Sequence, residues 1–304
     1  MPVSYIQANT NGRLHSASEP SLTPLDRGFL YGDAIYEVWR TYHGVVFAWE
    51  EHFLRLENSA RALHLVLPWS RTEMWMEVAR TVAAYRAATS FQDEVYIRLQ
   101  VSRGGGGIGL DVALADRPTF VLLVQPCPVN SAEVLRRGAK LAIATSLRRN
   151  PIESLSPAWK TGNYLNNILG LREARARGAD DVVMLNLRGE ITEAATSNIV
   201  FIREGEAITP RLDAGILEGI TRGLLLRRVV PAAGVRAREA VVRPEDLPGM
   251  SECFLLSSTK DVTPVGFIDG QSLSVGASTV SARLKAAFQA YARESATAHP
   301  ELAV

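Results

Sequence analysis

Attack on a carbonyl by a side-chain amine requires lysine, and lysine is scarce in this sequence of 304 residues: only Lys140, Lys160, Lys260 and Lys285 occur among 33 basic side chains. Lys160 stands apart. Its surroundings, PAWKTGNYLNN, place it in a tight turn flanked by aromatics and followed by a helix. Partial burial beside cationic neighbours lowers an amine's pKa and makes it nucleophilic, whereas an ordinary loop lysine is only a solvated charge. Glu193, in ITEAATSNIVF, belongs to a polar cluster that interrupts strand-like alternation. It reads either as a turn or edge residue, or as a carboxylate holding a proton on a ring nitrogen so that the ring becomes an electron sink. In LEGITR, Gly219, Ile220 and Thr221 open a helix, where unpaired N–H groups and the positive dipole end attract a phosphate. A threonine there also reads as a plain cap. Ser257, Ser258 and Thr259 at a strand end, together with Arg55, add donors of the same kind.

One signature is rejected. Gly104, Gly106 and Gly109 have the spacing of a dinucleotide fingerprint, but that motif needs a helix opening at its last glycine. Here LDVALADRP offers at most a turn before Pro118, so the run is read as a flexible loop and a nicotinamide oxidoreductase is disfavoured.

The elements that must position these residues fall into two blocks. Residues 1–125 alternate strand-like runs (VVFAW, EVYIRLQVS, TFVLLVQP) with two helical patterns, one of which lines up Phe53, Leu56, Ala60 and Leu63 and turns Arg55 to the flank. Residues 126–132 read as a tether. From 133 to 304 come the strand KLAIATS, the helix NYLNNILGLREARARG stopped by Gly178, and the strand DDVVMLN with ITEAATSNIVFI as its hairpin partner. The helix GITRGLLLRRVVPAAG, the strand CFLLSS and a last amphipathic helix near SARLKAAFQAYAR follow. The expected fold class is α/β (α+β), with a smaller and a larger domain.

Composition narrows the partners. A formal charge of +1, from 33 basic and 32 acidic residues interspersed along the chain, gives no electrostatic footprint for nucleic acid or an anionic membrane. No apolar run approaches ~18 residues and MPVSYIQANTNGRLH lacks a signal-peptide pattern, so a cytoplasmic location is expected. Cys127 and Cys253 are too few for a disulfide framework, and no metal-ligand spacing is present.

Four separated motifs resemble the class IV, or fold-type IV, pyridoxal-phosphate aminotransferases. They are DRGFLYGDAIYEV with EEHFLRL, then WKTGNYLNN, ITEAATSNIVF, and LEGITR with FLLSSTKDVTPV, and the similarity runs from about residue 4 to 290. The resemblance implies a small α/β sandwich domain, a larger α/β pseudo-barrel domain, pyridoxal 5'-phosphate (PLP) as cofactor and a homodimer whose sites are completed by the other subunit. It implies Lys160 as the Schiff-base lysine and proton carrier, and Glu193 as partner of the pyridine nitrogen. Arg55, Ile220, Thr221 and Ser258 fall at phosphate-binding positions, with Gly219 and Thr259 beside them. Leu217 falls where the family packs on the ring, Tyr164 where a tyrosine meets the ring oxygen, and Thr196, Ser197 and Asn198 complete the cofactor set. The activity implied is amino-group transfer between an amino acid and a 2-oxo acid in two half-reactions.

Substrate signals are mixed. YGDAIYEV and Ser102-Arg103-Gly104 resemble D-amino-acid aminotransferases, with Arg103 gripping the carboxylate. Tyr96-Ile97-Arg98 and the Lys160–Tyr164 run resemble branched-chain enzymes, from which Val38 departs where they carry glycine. Tyr31, Tyr36, Tyr96, Arg98 and Arg103 form the candidate substrate set. D-amino acids come first, branched-chain L-amino acids second, then an (R)-amine transaminase or an aminodeoxychorismate lyase.

Overall fold

A computed structural model describes residues 5–115 and 117–304. Residues 1–4 and 116 lie outside the described residues, and so do the expectations that touch them: the start of the N-terminal domain and of the resemblance, part of the signal-peptide reading, and one position of LDVALADRP.

The chain divides into two compact units. The first comprises Met1–Pro128, Trp159–Asn163 and Ser295–Val304; the second comprises Val129–Ala158 and Tyr164–Glu294. The expected second domain of 133–304 therefore gives up two segments, the lysine turn and the C-terminal residues, to the first unit.

The first unit is built on a six-stranded sheet of β1 (Gln7–Thr10), β2 (Arg13–Ser16), β3 (Ala34–Tyr42), β4 (Val45–Val46), β5 (Val95–Ser102) and β6 (Thr119–Pro126). Its order is β2-β1-β6-β5-β3-β4, antiparallel throughout. Three helices join it: α1 (Arg27–Tyr31), α2 (Trp49–Ala62) and α3 (Arg71–Thr89). The period-2 alternation of β5 buries Val95, Ile97, Leu99 and Val101 against Phe53, Leu56 and Ala60 of α2 and Met74, Val78 and Val82 of α3. Each such aliphatic or aromatic side chain contributes roughly 1.5–3 kcal/mol on burial. Tyr96, Arg98 and Gln100 consequently take the other face of β5 and stay half-buried. α3 starts at a capping box in which Ser70 Oγ and the Glu73 carboxylate exchange bonds with each other's backbone N–H. The run VVFAW does not stay extended. The strand ends at Val46, Ala48 adopts φ +54°, and Trp49 opens α2, because a short apolar run carries no periodicity to separate strand from helix.

The second unit has a nine-stranded sheet: β7 (Ala139–Ile143), β8 (Asp181–Leu185), β9 (Ile191–Ala194), β10 (Asn198–Arg203), β11 (Glu206–Pro210), β12 (Arg236–Ala240), β13 (Glu252–Ser257), β14 (Asp261–Ile268) and β15 (Gln271–Ser272). The order is β12-β11-β10-β13-β14-β7-β8-β9, with β15 on β14. Its helices are α4 (Ala132–Arg137), α5 (Leu165–Ala176), α6 (Ile220–Leu224), α7 (Val230–Ala232) and α8 (Val280–Ala298); a π-helical turn, Leu225–Val229, joins α6 to α7. ITEAATSNIVFI forms two strands rather than one. β9 pairs with β8 as expected, then residues 195–197 bend the chain so that β10 pairs with β11 and β13. Cys127 and Cys253 are both buried thiols. Among the described residues no helix is long and apolar enough to cross a membrane.

Candidate active site

The first unit presents the amine. Residues 160–162 lie along β3 as an added edge: Tyr36 N donates to Lys160 O (3.0 Å), Ile35 and Thr161 form a bridge, and Gly162 N donates to Ala34 O (3.2 Å). Lys160 N donates to Ser59 Oγ of α2 at 3.1 Å. These bonds fix the backbone on both sides of the side chain, and Lys160 Nζ sits 4.4 Å from the centroid of the Tyr36 ring. The Arg98 guanidinium lies 3.9 Å from the same centroid, with Nη2 donating to Gln100 Oε1 at 2.8 Å. Amine, aromatic ring and guanidinium are thus gathered on the sheet face that also carries Tyr96, which pairs in register with Arg40.

Beside this turn lies a buried charge cluster. Glu37, fully buried on β3, accepts from Arg55 Nε (2.7 Å) and Nη2 (2.8 Å), and its Oε2 is 2.7 Å from His52 Nδ1. Burial acts to raise the Glu37 pKa, but Arg55 and His52 outweigh it and hold the carboxyl far below the usual range. Burial pushes His52 down, aided by the charges of Arg55 and Lys160 and opposed by Glu37. Arg55, expected at a phosphate, is therefore held rigidly from its Nε side.

Arg103 and Tyr31 are engaged elsewhere. Arg103 Nε and Nη2 donate to Asp33 (2.7 and 3.1 Å), Nη1 to His64 O (3.0 Å) and Nη2 also to Leu63 O (2.8 Å). That guanidinium fastens the chain just after β5 to Asp33 and to the end of α2. Tyr31 Oη accepts from Gly109 N, and Arg27 donates to the carbonyls of Gly109, Leu110 and Asp111. The glycine run is hence a clamped loop. A 3-10 turn at Val112–Leu114 follows the run, and no helix opens at Gly109.

The second unit presents the carboxylate and the helix start. Glu193, 5% exposed, accepts from Arg149 Nη2 (2.6 Å), Asn198 Nδ2 (3.2 Å) and Leu217 N (3.2 Å). Asn198 Nδ2 also donates to Leu217 O at 3.0 Å. Gly219 caps α6, so Ile220 and Thr221 are its first residues. Asn198 registers with Leu256, which puts the 195–197 bend and Ser257–Thr259 at the same end of the sheet, and α6 packs on β13. Ser257 Oγ and Thr259 Oγ1 are 3.5 Å apart. Ser258 and Tyr164 are half-buried, while Thr196 is exposed.

Two features of this unit fit a phosphorylated ring. Ser197 Oγ is buried without a hydrogen-bond partner beside Glu193 and Asn198, an uncommon condition for a hydroxyl in a folded chain. A Cβ on Gly219 would lie 2.0 Å from Asn198 Oδ1, so only glycine lets the helix start approach that amide. Lys260 Nζ is paired with Asp181 at 2.7 Å. Sequence reasoning missed Ser59, Glu37, His52, Arg149 and Asn167. The two adjacent arginines in SLRRNP were the only available signal for Arg149.

The sequence profile described as amino-transferase class IV matches residues 34–268. The chain belongs to the class IV aminotransferase family. A Methanocaldococcus jannaschii protein, provisionally named a branched-chain-amino-acid aminotransferase, is 33% identical over 264 residues, covering 87% of this chain and 88% of the relative. A D-alanine aminotransferase of Listeria monocytogenes is 32% identical over 270 residues, covering 88% and 89%. The solved branched-chain aminotransferase of Thermoproteus uzoniensis with norvaline superposes with a TM-score of 0.85 at 27% identity, covering 98% of both chains. A Brucella abortus aminotransferase bound to PLP superposes at 0.80 and 26% identity, covering 95% of this chain and 99% of its own. The family and the fold-type IV architecture expected from the motifs are those of this chain.

Proposed function

We propose that the protein is a PLP-dependent transaminase that moves an amino group between an amino acid and a 2-oxo acid. The observation that carries this reading is the Lys160 amine, backbone-fixed on β3 and α2 and held against the Tyr36 ring. PLP supplies the carbonyl that takes up the amino group and the ring that accommodates charge at the substrate α-carbon. Lys160 Nζ holds the cofactor at rest, then takes the α-proton and returns it, acting as base and acid in turn. Glu193, which accepts from Arg149, Asn198 and Leu217, holds a proton on the ring nitrogen. Arg55, Ile220, Thr221 and Ser258 bind the phosphate, with Thr259 beside them, and Ser197 and Asn198 support the same cradle. Leu217 packs on the ring and Tyr164 meets its oxygen.

For the substrate, the reading moves to branched-chain L-amino acids. Support for D-amino acids came from Arg103, whose guanidinium is committed to Asp33 and two carbonyls. Arg98, on the same ring as the reactive amine, is the better carboxylate ligand. D-amino acids remain the second reading, favoured by YGDAIYEV and by the similarity to D-alanine aminotransferase. The chain works as a homodimer in the cytoplasm in this reading; the exposure of Phe29, Ile108 and Leu110 supports the homodimer.

Borohydride reduction of the PLP-loaded protein, followed by peptide mass mapping, is expected to place the adduct on Lys160, and Lys160→Ala to abolish amino exchange. An adduct on another lysine sinks the assignment. A panel of D- and L-alanine, glutamate and leucine with pyruvate or 2-oxoglutarate is expected to favour L-leucine with 2-oxoglutarate. Arg98→Ala is expected to raise KM at least tenfold, the loss of one charge-assisted contact, and Arg103→Ala to act mainly on stability.

A further inference from the structure

We infer that Arg149 is a positioning residue that keeps Glu193 ionised and aimed, and so sets the protonation of the ring nitrogen; the inference rests on the reading that Glu193 pairs with that nitrogen. A carboxylate with 5% of its surface exposed has lost most of the water that stabilises its charge, and without a cation it drifts toward the neutral acid. A neutral carboxyl cannot hold a proton on a ring nitrogen. Arg149 Nη2, 2.6 Å from Glu193 Oε1, is the cation that the structure supplies.

The guanidinium is itself immobilised. Arg149 N donates to Leu185 O at 2.7 Å, which fixes its backbone at the end of β8. Its Nη1 donates to Asn167 Oδ1 at 2.9 Å, and Asn167 Nδ2 donates in turn to Ala195 O at 2.7 Å in the bend between β9 and β10. A closed chain therefore runs from Glu193 through Arg149 and Asn167 back to the residue two places after Glu193. Arg149 Nε stays buried without a partner, so the fork is oriented toward Glu193 and Asn167 at the expense of one donor. The neighbouring Arg148 shows the alternative: its Nη1 merely binds the carbonyls of Ala144, Thr145 and Leu147.

The test uses PLP-loaded wild type, Arg149→Gln and Arg149→Lys, each checked for an unchanged melting temperature. Three quantities are read: the pH dependence of the bound cofactor's visible absorbance, PLP retention on dialysis, and kcat against KM. Arg149→Gln is expected to shift the absorbance transition by about one pH unit, to weaken PLP retention roughly tenfold, and to lower kcat with little change in KM. Arg149→Lys, which restores charge without the fork, is expected to recover part of each effect. Wild-type absorbance and retention in Arg149→Gln would overturn the inference, as would an Arg149→Lys no better than Arg149→Gln. Should Arg149→Gln fail to fold, Asn167→Ala loosens the guanidinium while leaving its charge. A smaller shift in the same direction is then expected, and an unshifted profile overturns the proposal. Wild type that takes up no PLP sinks this inference and the transaminase reading together, whereas normal wild-type loading with an indifferent Arg149 sinks the inference alone.

Discussion

Glu37 shows how much one interior charge can govern. It is fully buried and bound twice by Arg55 and once by His52, so Glu37→Leu strands two polar partners. The expected cost is about 3–5 kcal/mol, read as a lower urea midpoint. The pH dependence follows from the signs. The folded pKa of Glu37 lies far below the free value of about 4.3, so its contribution is complete above that pH and drains as the pH falls below it. His52 is also held below its free value of about 6.5, so unfolding takes up a proton there and the same acid direction destabilises. The wild-type urea midpoint should therefore drop steeply with acid, and Glu37→Leu should flatten that limb; parallel curves would contradict the account. At this scale Lys160 and Glu193 were the residues the sequence singled out, because one is scarce and the other breaks an alternation. Arg149, Ser59 and Glu37 were not, since their partners lie 15 to 101 residues away and no local pattern encodes such pairings.

Elements were readable where one face is purely apolar. The α2 stripe and the alternation of β5 appear in the structure as the sequence suggests. β3 escaped because Glu37 and Thr41 sit among its buried residues and spoil the apolar alternation. The start of α6 was legible from LEGITR, and it yields a sharp prediction. Gly219 has φ −69°, which alanine adopts freely, so replacement would ordinarily be harmless or slightly stabilising. Here the added methyl meets Asn198 Oδ1 at 2.0 Å and displaces the amide that holds Glu193 and Leu217. Gly219→Ala should weaken PLP binding at least tenfold with little loss of melting temperature, measured by fluorescence titration; unchanged affinity would show that the cradle tolerates the shift.

For the molecule as a whole, the family and the two-unit plan could be read from motif order, but the allocation of chain to units could not. The linker composition pointed to residues 126–132, while nothing local announced that 159–163 and 295–304 group with the first unit. Their membership rests on backbone bonds to β3, on Val304 N donating to Gly44 O, and on the Val45–Ala303 bridge. The proposed homodimer belongs to this scale: gel filtration should give twice the chain mass, and Ile108→Asp with Leu110→Asp should halve it. A wild-type monomer would remove the dimer from the reading.

That three-part first unit sets a timetable for biosynthesis. A ribosome releases Ala303 long after Val45, so the strand Val45–Val46 waits through most of that interval for this partner. Lys160 likewise settles on β3, a platform made long before it. A bulky insertion beside residues 300–304 should therefore slow maturation, and the nascent chain should depend on chaperones throughout that interval.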